Sequence, residues 1–366
     1  MANPADPALQ FTRVPHPAPK ADGVREAVLA NPGFGTNFSD HMVTIEWDEG
    51  RGWHSPSLVP YGPLMLDPAA SVLHYAQEIF EGLKAYRTAD GGIQLFRPEA
   101  NAARFNASAV RMAMPELPED LFLASIRELV LADQAWIPAG EGCSLYLRPF
   151  MIATEAFLGV RAAKQYKYVL IASPAGNYFK SGAPAVSLWV SDYTRAAPGG
   201  TGAAKCGGNY AASLVPTAEA FAKGHDQVLF LDAAEHKWIE ELGGMNMFFV
   251  MADGSLVTPP LSGTILPGIT RDSLLTLARE EGLTVREERY SLQQWRDDAA
   301  SGALLESFAC GTAAVVTPVG KVTEHDTSFT IGSGGPGQIT QKLKARLVAI
   351  QRGDEADSHG WVTRLV

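Results

Sequence analysis

The sequence predicts an α+β protein with two domains. Strand-like and helix-like patterns both recur along the chain, and their order does not alternate strictly, which favours α+β over a doubly wound sheet. The chain has 366 residues, which is enough for two domains. The segment "SPAGNYFKSGAPA", residues 173–185, gathers Gly, Pro, Ser and Asn between two strand patterns and marks the boundary.

Short runs rich in Val, Ile, Leu and aromatic residues predict the strands. In chain order they are "MVTIEWD", "GIQLFR", "CSLYLRPFMIA", "KYVLIAS", "AVSLWVS", "DQVLFLD", "KWIEEL", "MNMFFVMA" and "LLESFACG". Helical patterns interrupt these runs, and two of them have suitable starts, with Pro98 in one first turn and Thr270 opening another. The helices are "RPEANAARFNASAVRMAM", "PEDLFLASIRELVLADQAW", "NYAASLVPTAEAFAKG", "TRDSLLTLAREEG" and "GQITQKLKARLVAIQRG".

These patterns divide the chain into four parts. We expect a loosely ordered arm, rich in Pro and Ala, over residues 1–30. A small N-terminal domain follows over residues 31–173, and an interdomain loop over residues 174–185. A large C-terminal domain, which carries Lys205, takes residues 186–366.

The composition argues against several classes of protein. A hydrophobic fraction of 46% with 19% charged residues is typical of a globular chain with a sizeable core. The net charge of -10 argues against nucleic acid and anionic membranes, which both favour a basic surface. The longest apolar runs are strand-sized, and the N-terminus lacks the long apolar core of a secretory signal. The scattered Cys143, Cys206 and Cys310 argue against a disulfide framework and indicate a reducing compartment, so we expect a cytoplasmic protein.

One lysine, Lys205, lies in "RAAPGGTGAAKCGGNYAAS", where no other charged residue occurs between positions 196 and 214. A solvated lysine on a flexible loop would explain this segment, and that alternative stays open at this point. A phosphate-binding P-loop does not fit, because Ala204 and Cys206 stand where that motif needs Gly and Ser or Thr. The third alternative is an amine nucleophile, since a cradle of small apolar residues disfavours the charged form of a lysine.

A phosphorylated aldehyde such as pyridoxal phosphate needs, besides the lysine, an anion site, an acid for the ring nitrogen and a partner for the ring hydroxyl. "SGTILPGITRDSLL" offers an anion site, because Gly268, Ile269 and Thr270 open a helix whose first N–H groups favour phosphate. "KWIEELGGMNMFFV" offers the acid, since strand alternation would bury one of Glu240 and Glu241 and place the other on the opposite face. The turn in "ACGTAAVVTPVG" offers further N–H groups, although each of these segments also fits an ordinary loop or helix end.

Five segments carry a resemblance to a known family, and in chain order they are "IFEGLKAYR", "SLYLRPFMIATEAFLGV", "GGTGAAKCGGNYAAS", "ELGGMNMF" and "GTILPGITRDSLL". Together they resemble the branched-chain-amino-acid aminotransferases, of the fold-type IV group of pyridoxal-phosphate enzymes. The resemblance runs from about residue 30 to residue 350. It implies a smaller N-terminal α/β domain, a larger C-terminal pseudo-barrel domain, pyridoxal 5′-phosphate as cofactor, and a homodimer.

The resemblance also implies a reaction. Lys205 would form a Schiff base with the cofactor and carry the proton between substrate and cofactor. In a ping-pong reaction the amino group of L-leucine, L-isoleucine or L-valine would pass to 2-oxoglutarate, giving branched-chain 2-oxo acids and L-glutamate. Tyr210 would bond the cofactor's ring oxygen, Glu241 would pair with its ring nitrogen, and Arg195 would lie beside it.

The remaining implied roles concern phosphate and substrate. Arg104 would hold the phosphate, with the Thr312 side chain and the N–H groups of Ile269 and Thr270 that follow Gly268. The N–H groups of Thr312 and Ala313 would receive the substrate α-carboxylate. The apolar pocket for the substrate side chain would be lined by Tyr75, Phe80 and Tyr146. The γ-carboxylate of glutamate would be met by Arg148 and Tyr146 of the neighbouring subunit.

The sequence departs from the family in one place. Mammalian members carry a redox-active Cys-x-x-Cys after the Gly-Thr-Ala turn, whereas Ala314 and Thr317 stand here, so we expect no disulfide switch. D-amino-acid aminotransferases and aminodeoxychorismate lyases share the lysine and the glutamate and stay as alternatives within the fold type. The "FEGLKAYR" and "LYLRPF" segments favour the branched-chain group over both. From another class, the alternative is a protein that binds pyridoxal phosphate without catalysis.

Overall fold

A computed structural model of the chain describes residues 10–140, 142–176 and 184–366. These residues form two compact units. The first unit contains the described residues up to 176, together with residues 204–207 and 350–366. The second unit contains residues 184–203 and 208–349.

This division differs from the expected domains in two segments. Residues 204–207 belong to the first unit because the Phe80 N–H donates to the Lys205 carbonyl oxygen over 2.9 Å. Residues 350–366 belong there too, because their last strand pairs with Ile93–Phe96. Of the expected arm, residues 10–30 include a short strand and a helix, and residues 1–9 lie outside the described residues. Of the expected interdomain loop, residues 177–183 lie outside them as well.

The elements are defined by the following residues. The strands are β1 (Thr12–Arg13), β2 (His41–Asp48), β3 (Gly52–Pro60), β4 (Glu78–Phe80), β5 (Leu83–Arg87), β6 (Ile93–Phe96), β7 (Ser144–Ala153), β8 (Gln165–Ala175), β9 (Val186–Val190), β10 (Gln227–Leu231), β11 (Ile239–Leu242), β12 (Asn246–Met251), β13 (Ser255–Thr258), β14 (Thr284–Glu287), β15 (Leu304–Gly311), β16 (Val315–Glu324), β17 (Thr327–Thr330) and β18 (Val362–Arg364). The helices are α1 (Asp22–Ala30), α2 (Val72–Tyr75), α3 (Pro98–Arg111), α4 (Glu119–Ala132), α5 (Gly207–Ala211), α6 (Leu214–Ala222), α7 (Ile269–Glu280), α8 (Leu292–Ser301) and α9 (Gln338–Arg352).

The first unit is built on one sheet, whose described strands follow the order β1-β3-β2-β8-β7-β5-β6-β18, with β4 also paired to β7. Helices α3 and α4 pack on one face of this sheet. There the rings of Phe105, Phe122 and Tyr168 contact one another with centroids 5.5 to 6.1 Å apart. All three rings are buried, so this face of the sheet carries the apolar core.

The second unit contains a closed barrel. Within residues 184–366, strands run in the order β11-β10-β9-β16-β15-β12, and β12 pairs back onto β11 to close the ring. Strands β13 and β14 extend the sheet from β12, and β17 extends it from β16. Trp295 of α8 is fully buried, meets the Phe249 ring edge-on at 5.1 Å and donates from Nε1 to the Ser307 hydroxyl at 3.0 Å.

The structure confirms the α+β prediction and the pseudo-barrel. Each of the nine sequence runs predicted as strands forms a strand, and the helical pattern that begins at Asn209 forms two short helices, α5 and α6. The predictions missed β3, β16 and α8 among others. Helix α8 begins with a reciprocal capping box between Ser291 and Gln294, a signature that is present in the sequence. No helix in the described part of the chain is both long and apolar enough to cross a bilayer.

The C-terminal strand is expected to stabilise the first unit. The Leu365 side chain is 8% exposed within the core, and its N–H donates to the Ile93 carbonyl at 2.9 Å. Leu365→Ala should lower the free energy of unfolding by about 2 to 3 kcal/mol, because it removes buried methyl groups. Urea denaturation followed by circular dichroism measures this. The neighbouring Val366, which is 52% exposed, is the matched control, and Val366→Ala should change it by less than about 0.5 kcal/mol. Equal effects of the two substitutions would show that the strand is not packed as described.

Candidate active site

The main chain around Lys205 is fixed within the first unit. Ala204 and Cys206 are 2% and 1% exposed and belong to the apolar core, whereas Lys205 between them is half-buried. The Phe80 N–H donates to the Lys205 carbonyl oxygen, and the Lys205 N–H donates to the Ser108 hydroxyl, each over 2.9 Å. Both peptide groups of the lysine therefore have hydrogen-bond partners, one on β4 and one on α3, and these bonds fix the position of the Lys205 Cα.

Gly207 completes this attachment. Its N–H donates to the Glu78 carboxylate, and a Cβ at position 207 would overlap that carboxylate, so the close approach requires glycine. Burial raises the pKa of Glu78, against the opposing effects of the Gly207 N–H and the charge of Arg148. The small residues around the lysine thus serve core packing and close backbone contact.

The Lys205 amine lies among predicted pocket residues. Its Nζ is 4.7 Å from the centre of the Phe80 ring. The Arg148 guanidinium lies 4.8 Å from the same ring and 5.4 Å from the Tyr146 ring, and its Nη2 donates to the Tyr146 hydroxyl at 3.3 Å. These contacts occur within one chain, and the contribution of Tyr146 and Arg148 to a neighbouring subunit stays a prediction.

Strand alternation explains why these side chains gather. In the ladder formed by β4, β5 and β7, Phe80 faces Phe150 and Lys84 faces Tyr146, so these side chains share one sheet face. Gly82 lies between Phe80 and Lys84, and a Cβ there would overlap the Tyr146 hydroxyl. The opposite face carries the core with α3 and α4.

Two further observations describe the space beside Arg148. The Phe34 ring meets Tyr146 edge-on at 5.1 Å. The Arg148 Nε is buried and has no hydrogen-bond partner within residues 10–140, 142–176 and 184–366. A buried donor of this kind suits an anionic ligand.

Tyr75 is placed elsewhere in the first unit. It is 41% exposed, and its hydroxyl donates to the Leu158 carbonyl oxygen. The described contacts of Tyr75 therefore do not include the Lys205, Phe80 and Tyr146 group.

Arg104, the predicted phosphate ligand, lies on α3 and forms a two-pronged ion pair. Its Nε and Nη2 donate to the two carboxylate oxygens of Glu81 at 2.6 and 2.9 Å. The same helix supplies Ser108, whose hydroxyl donates to the Arg104 carbonyl oxygen at 3.0 Å and accepts from Lys205. Glu81 and Ser108 were not predicted as site residues. Glu81 is within the "IFEGLKAYR" segment, which gave a signal for its location but none for its partner.

The second unit holds the predicted acid. Glu241 is 2% exposed and pairs with Arg195 at 2.6 Å. Its carboxylate also accepts from the Leu266 N–H at 3.3 Å and from Asn246 Nδ2 at 3.4 Å. The Arg195 guanidinium also lies 5.9 Å from the centre of the Tyr210 ring. Arg195, Tyr210 and Glu241, which were predicted to belong to one site, therefore lie in one cluster.

The expectation that only one of the two adjacent glutamates is buried is wrong. Glu240 is 7% exposed, because its carboxylate accepts from the Thr264 hydroxyl on the opposite face of β11 from Glu241. Burial raises the pKa of Glu240, whereas the Thr264 hydrogen bond lowers it. Both faces of β11 are covered in the closed barrel, so alternation does not expose either residue.

The remaining predicted residues lie near the same end of the barrel. Register pairs Glu241 with Asn246, Asn246 with Cys310, and Cys310 with Val316, which places the turn at residues 312–314 at this end. Thr312 and Ala313 lie in this turn and are half-buried. The residue after it, Val315, has a positive φ of 60°, which makes the turn tight.

Helix α7 begins beside Asn246, the first residue of strand β12. Gly268 is the N-cap of this helix, and Ile269 and Thr270 are its first two residues. Within the described residues, no side chain accepts a hydrogen bond from the N–H groups at this helix start as a cap. A Cβ at Gly268 would overlap the Asn246 side chain, which itself bonds Glu241. The helix thus offers first-turn N–H groups without a side-chain cap, as an anion site requires.

Removal of the Ser108 hydroxyl tests the attachment of Lys205. Ser108→Ala leaves the Lys205 N–H without this acceptor and should lower the free energy of unfolding by about 1 to 3 kcal/mol. It should also speed hydrogen exchange of the Lys205 amide, measured by mass spectrometry of the peptide. Val110→Ala, at a 61% exposed position of the same helix, is the control and should leave that exchange unchanged. Unaltered exchange in Ser108→Ala would contradict the described hydrogen bond.

Comparison with known proteins places this geometry in a family. The model of the aminotransferase class IV family matches residues 78–322. A branched-chain-amino-acid aminotransferase of Mycolicibacterium smegmatis is 58% identical over 362 residues, which cover 98% of each chain. The crystal structure of the Escherichia coli branched-chain amino acid aminotransferase has a TM-score of 0.74 at 29% identity and covers 88% of this chain and 99% of its own.

A second solved structure adds a ligand. It is the branched-chain amino acid aminotransferase of Thermobaculum terrenum in its pyridoxal-phosphate form, with a TM-score of 0.70, 25% identity, and coverage of 88% of this chain and 98% of its own. The family match and the near-full-length relative agree with the resemblance of the five sequence segments. The chain belongs to the branched-chain-amino-acid aminotransferases of aminotransferase class IV.

Proposed function

We propose that this enzyme transfers the amino group of L-leucine, L-isoleucine or L-valine to 2-oxoglutarate, with pyridoxal 5′-phosphate as cofactor. The observation that carries the proposal is the Lys205 amine, held through its main chain and lying at the Phe80 ring beside Arg148. The products are branched-chain 2-oxo acids and L-glutamate. The relatives' names support this substrate class over D-amino acids and over a lyase reaction.

The described residues fit the cofactor. In the first unit the Lys205 amine suits the aldehyde of pyridoxal phosphate. Within the second unit the buried Glu241 carboxylate suits the ring nitrogen, and the α7 N-terminus, which has no side-chain cap, suits the phosphate. The structural relative in its pyridoxal-phosphate form supports the same choice. When bound, the cofactor supplies an aldehyde carbon that exchanges amino groups and a conjugated ring that takes up the electron pair of the broken Cα–H bond.

Lys205 supplies the base. Its Nζ would take the proton from the substrate Cα and then release it to the cofactor. Because both peptide groups of Lys205 are bonded, the amine moves by side-chain torsions alone while its Cα stays in place. Because the Cα is fixed, the Lys205 amine can move away from the cofactor and come back to the same position.

Glu241 would accept the N–H of the cofactor's ring nitrogen and so keep a proton on that nitrogen. Arg195 pairs with Glu241 at 2.6 Å, which holds the carboxylate in one orientation. Tyr210, whose ring centre is 5.9 Å from the Arg195 guanidinium, would donate to the ring oxygen of the cofactor. Arg104 of the first unit would hold the phosphate, and in the second unit the Ile269 and Thr270 N–H groups and the Thr312 hydroxyl would do so.

The substrate is held by its two ends. The N–H groups of Thr312 and Ala313 receive the α-carboxylate. Phe80 and Tyr146 line the place of the aliphatic side chain. An apolar wall separates substrates that differ by a methylene by only about 1 to 3 kcal/mol, so we expect all three branched-chain substrates to react. Arg148, through its buried Nε, and the Tyr146 hydroxyl receive the γ-carboxylate of the second substrate.

Product formation by Lys205→Ala tests this function. The wild type should convert L-leucine and 2-oxoglutarate to 4-methyl-2-oxopentanoate and L-glutamate, which are quantified by liquid chromatography with mass spectrometry. Lys205→Ala should lower turnover by roughly 10³-fold or more, because no other group carries the Cα proton. Lys164→Ala, at an exposed lysine of the same unit, is the control and should retain wild-type turnover.

Two results would contradict the proposal. Steady turnover by folded Lys205→Ala would remove the lysine from the chemistry. Amino transfer from D-alanine, with none from L-leucine, would retain the lysine but exclude the branched-chain substrates.

We also propose a cytoplasmic homodimer. The free thiols of Cys143, Cys206 and Cys310 suit a reducing compartment. The first unit exposes apolar side chains, including Met65 at 93% and Val160 at 87%, which supports an interface on that unit. Analytical ultracentrifugation should give twice the chain mass of 39.2 kDa, and a species of the single-chain mass at micromolar concentration would contradict the dimer.

A further inference from the structure

A fully buried carboxylate that the proposed reaction does not use lies next to Phe80. Glu81 is 0% exposed, and its two oxygens accept from Arg104 Nε at 2.6 Å, Arg104 Nη2 at 2.9 Å and Asn101 Nδ2 at 2.7 Å. The Gly82 N–H adds a further bond at 3.0 Å. A carboxylate with this many donors is held in a single orientation.

The surroundings of Glu81 keep it ionised. Burial alone would raise the pKa of this carboxyl group, but the charge and hydrogen bonds of Arg104, the charge of Lys205 and the Asn101 bond lower it below its usual value. The Arg104 side chain is only 10% exposed, so each charge compensates the other away from water.

One face of α3 joins this ion pair to Lys205. Asn101, Arg104 and Ser108 are spaced three and four residues apart, which places them on the same side of the helix. Asn101 and Arg104 bind Glu81, and Ser108 binds the Lys205 N–H. From the sheet, Phe80 binds the Lys205 carbonyl and is followed directly by Glu81. The guanidinium and the lysine main chain therefore share one rigid support.

We propose that Glu81 is a positioning residue, which holds the Nε–Nη2 edge of Arg104 so that its other N–H groups meet a phosphate monoester at a fixed distance from Lys205. This inference rests on the proposed function, in which Arg104 binds the cofactor phosphate. Glu81 itself touches neither phosphate nor substrate in this arrangement. Its effect is to remove the freedom of the arginine side chain before the anion binds.

Charge and orientation predict opposite results when Glu81 is changed. If the negative charge of Glu81 mattered most, its removal would tighten anion binding at Arg104. If orientation matters most, as we propose, any change that breaks the two-pronged contact weakens binding. Glu81→Asp keeps the charge but is too short by one methylene to reach both Nε and Nη2, whereas Glu81→Gln keeps the length and loses the charge.

The experiment measures anion binding to the apoprotein by isothermal titration calorimetry. The probes are pyridoxine 5′-phosphate, which has no aldehyde and cannot bond covalently to Lys205, and inorganic phosphate. We expect Glu81→Gln and Glu81→Asp each to raise the Kd of both probes by roughly 10-fold or more, as loss of a residue that orients a ligand-binding group commonly does. Glu99→Gln, at an exposed position of the same helix, is the control and should leave both Kd values unchanged.

A variant in which Arg104 lacks its charge keeps the inference testable if Glu81→Gln does not fold. In the Arg104→Gln single variant the buried Glu81 carboxyl group can take up a proton, and in the double variant with Glu81→Gln both partners are neutral. Neither protein therefore has to bury a lone charge. If Glu81 acts through Arg104, adding Glu81→Gln to that background should change the Kd by less than about 2-fold. A further 10-fold loss there would overturn the inference, since Glu81 would then act by another route.

The outcomes separate this inference from the proposed function. A wild-type apoprotein that does not bind pyridoxine 5′-phosphate would contradict the proposed cofactor and overturn the inference with it. Wild-type binding with equal or tighter binding by Glu81→Gln and Glu81→Asp would overturn the positioning role alone. Weaker binding of both probes by both variants, with the control unchanged, supports it.

Discussion

The attachment of the Lys205 main chain to the first unit is the constraint on which the proposed chemistry depends. Phe80 and Ser108 bond its two peptide groups, and Ala204 and Cys206 anchor the flanking positions in the apolar core. The segment cannot shift without opening that core, which is expensive because buried side chains there would lose their packing. The lysine amine is consequently positioned by its backbone, and its side chain stays available for proton transfer.

Two buried ion pairs in the described part of the chain involve predicted site residues. Arg104 pairs with Glu81 in the first unit, and Arg195 pairs with Glu241 in the second. Loss of one partner would leave a buried charge uncompensated, which typically destabilises a protein by about 3 to 5 kcal/mol. Each pair has a consequence for function as well, because the guanidinium or carboxylate is already oriented when a ligand arrives.

The periodic parts of the fold were predictable from sequence, because helices such as α3 and strands such as β7 bury one regular face. The sequence patterns did not predict that both Glu240 and Glu241 are buried, since closure of the barrel covers both faces of β11. The placement of Lys205 in the first unit was missed for a similar reason. Hydrogen bonds between residues far apart in the chain decide it, and no local pattern reports them.

The candidate site shows the same division between local and long-range information. The resemblance implied roles for individual residues such as Lys205 and Glu241, but it did not predict which residues they contact. Glu81 went unnoticed because a glutamate beside a strand gives no sign that its partner lies 23 positions further along the chain. Gly82 and Gly207 have a clear role only in three dimensions, where a Cβ would overlap Tyr146 or Glu78.

The most direct test of the central claim is to identify the lysine that carries the cofactor. The protein is incubated with pyridoxal 5′-phosphate, treated with borohydride so that the attached cofactor is fixed, digested, and examined by peptide mass spectrometry. Attachment at Lys205 alone, at one cofactor per chain, is the predicted result. Stoichiometric attachment at a different lysine, with Lys205 unmodified, would contradict the account.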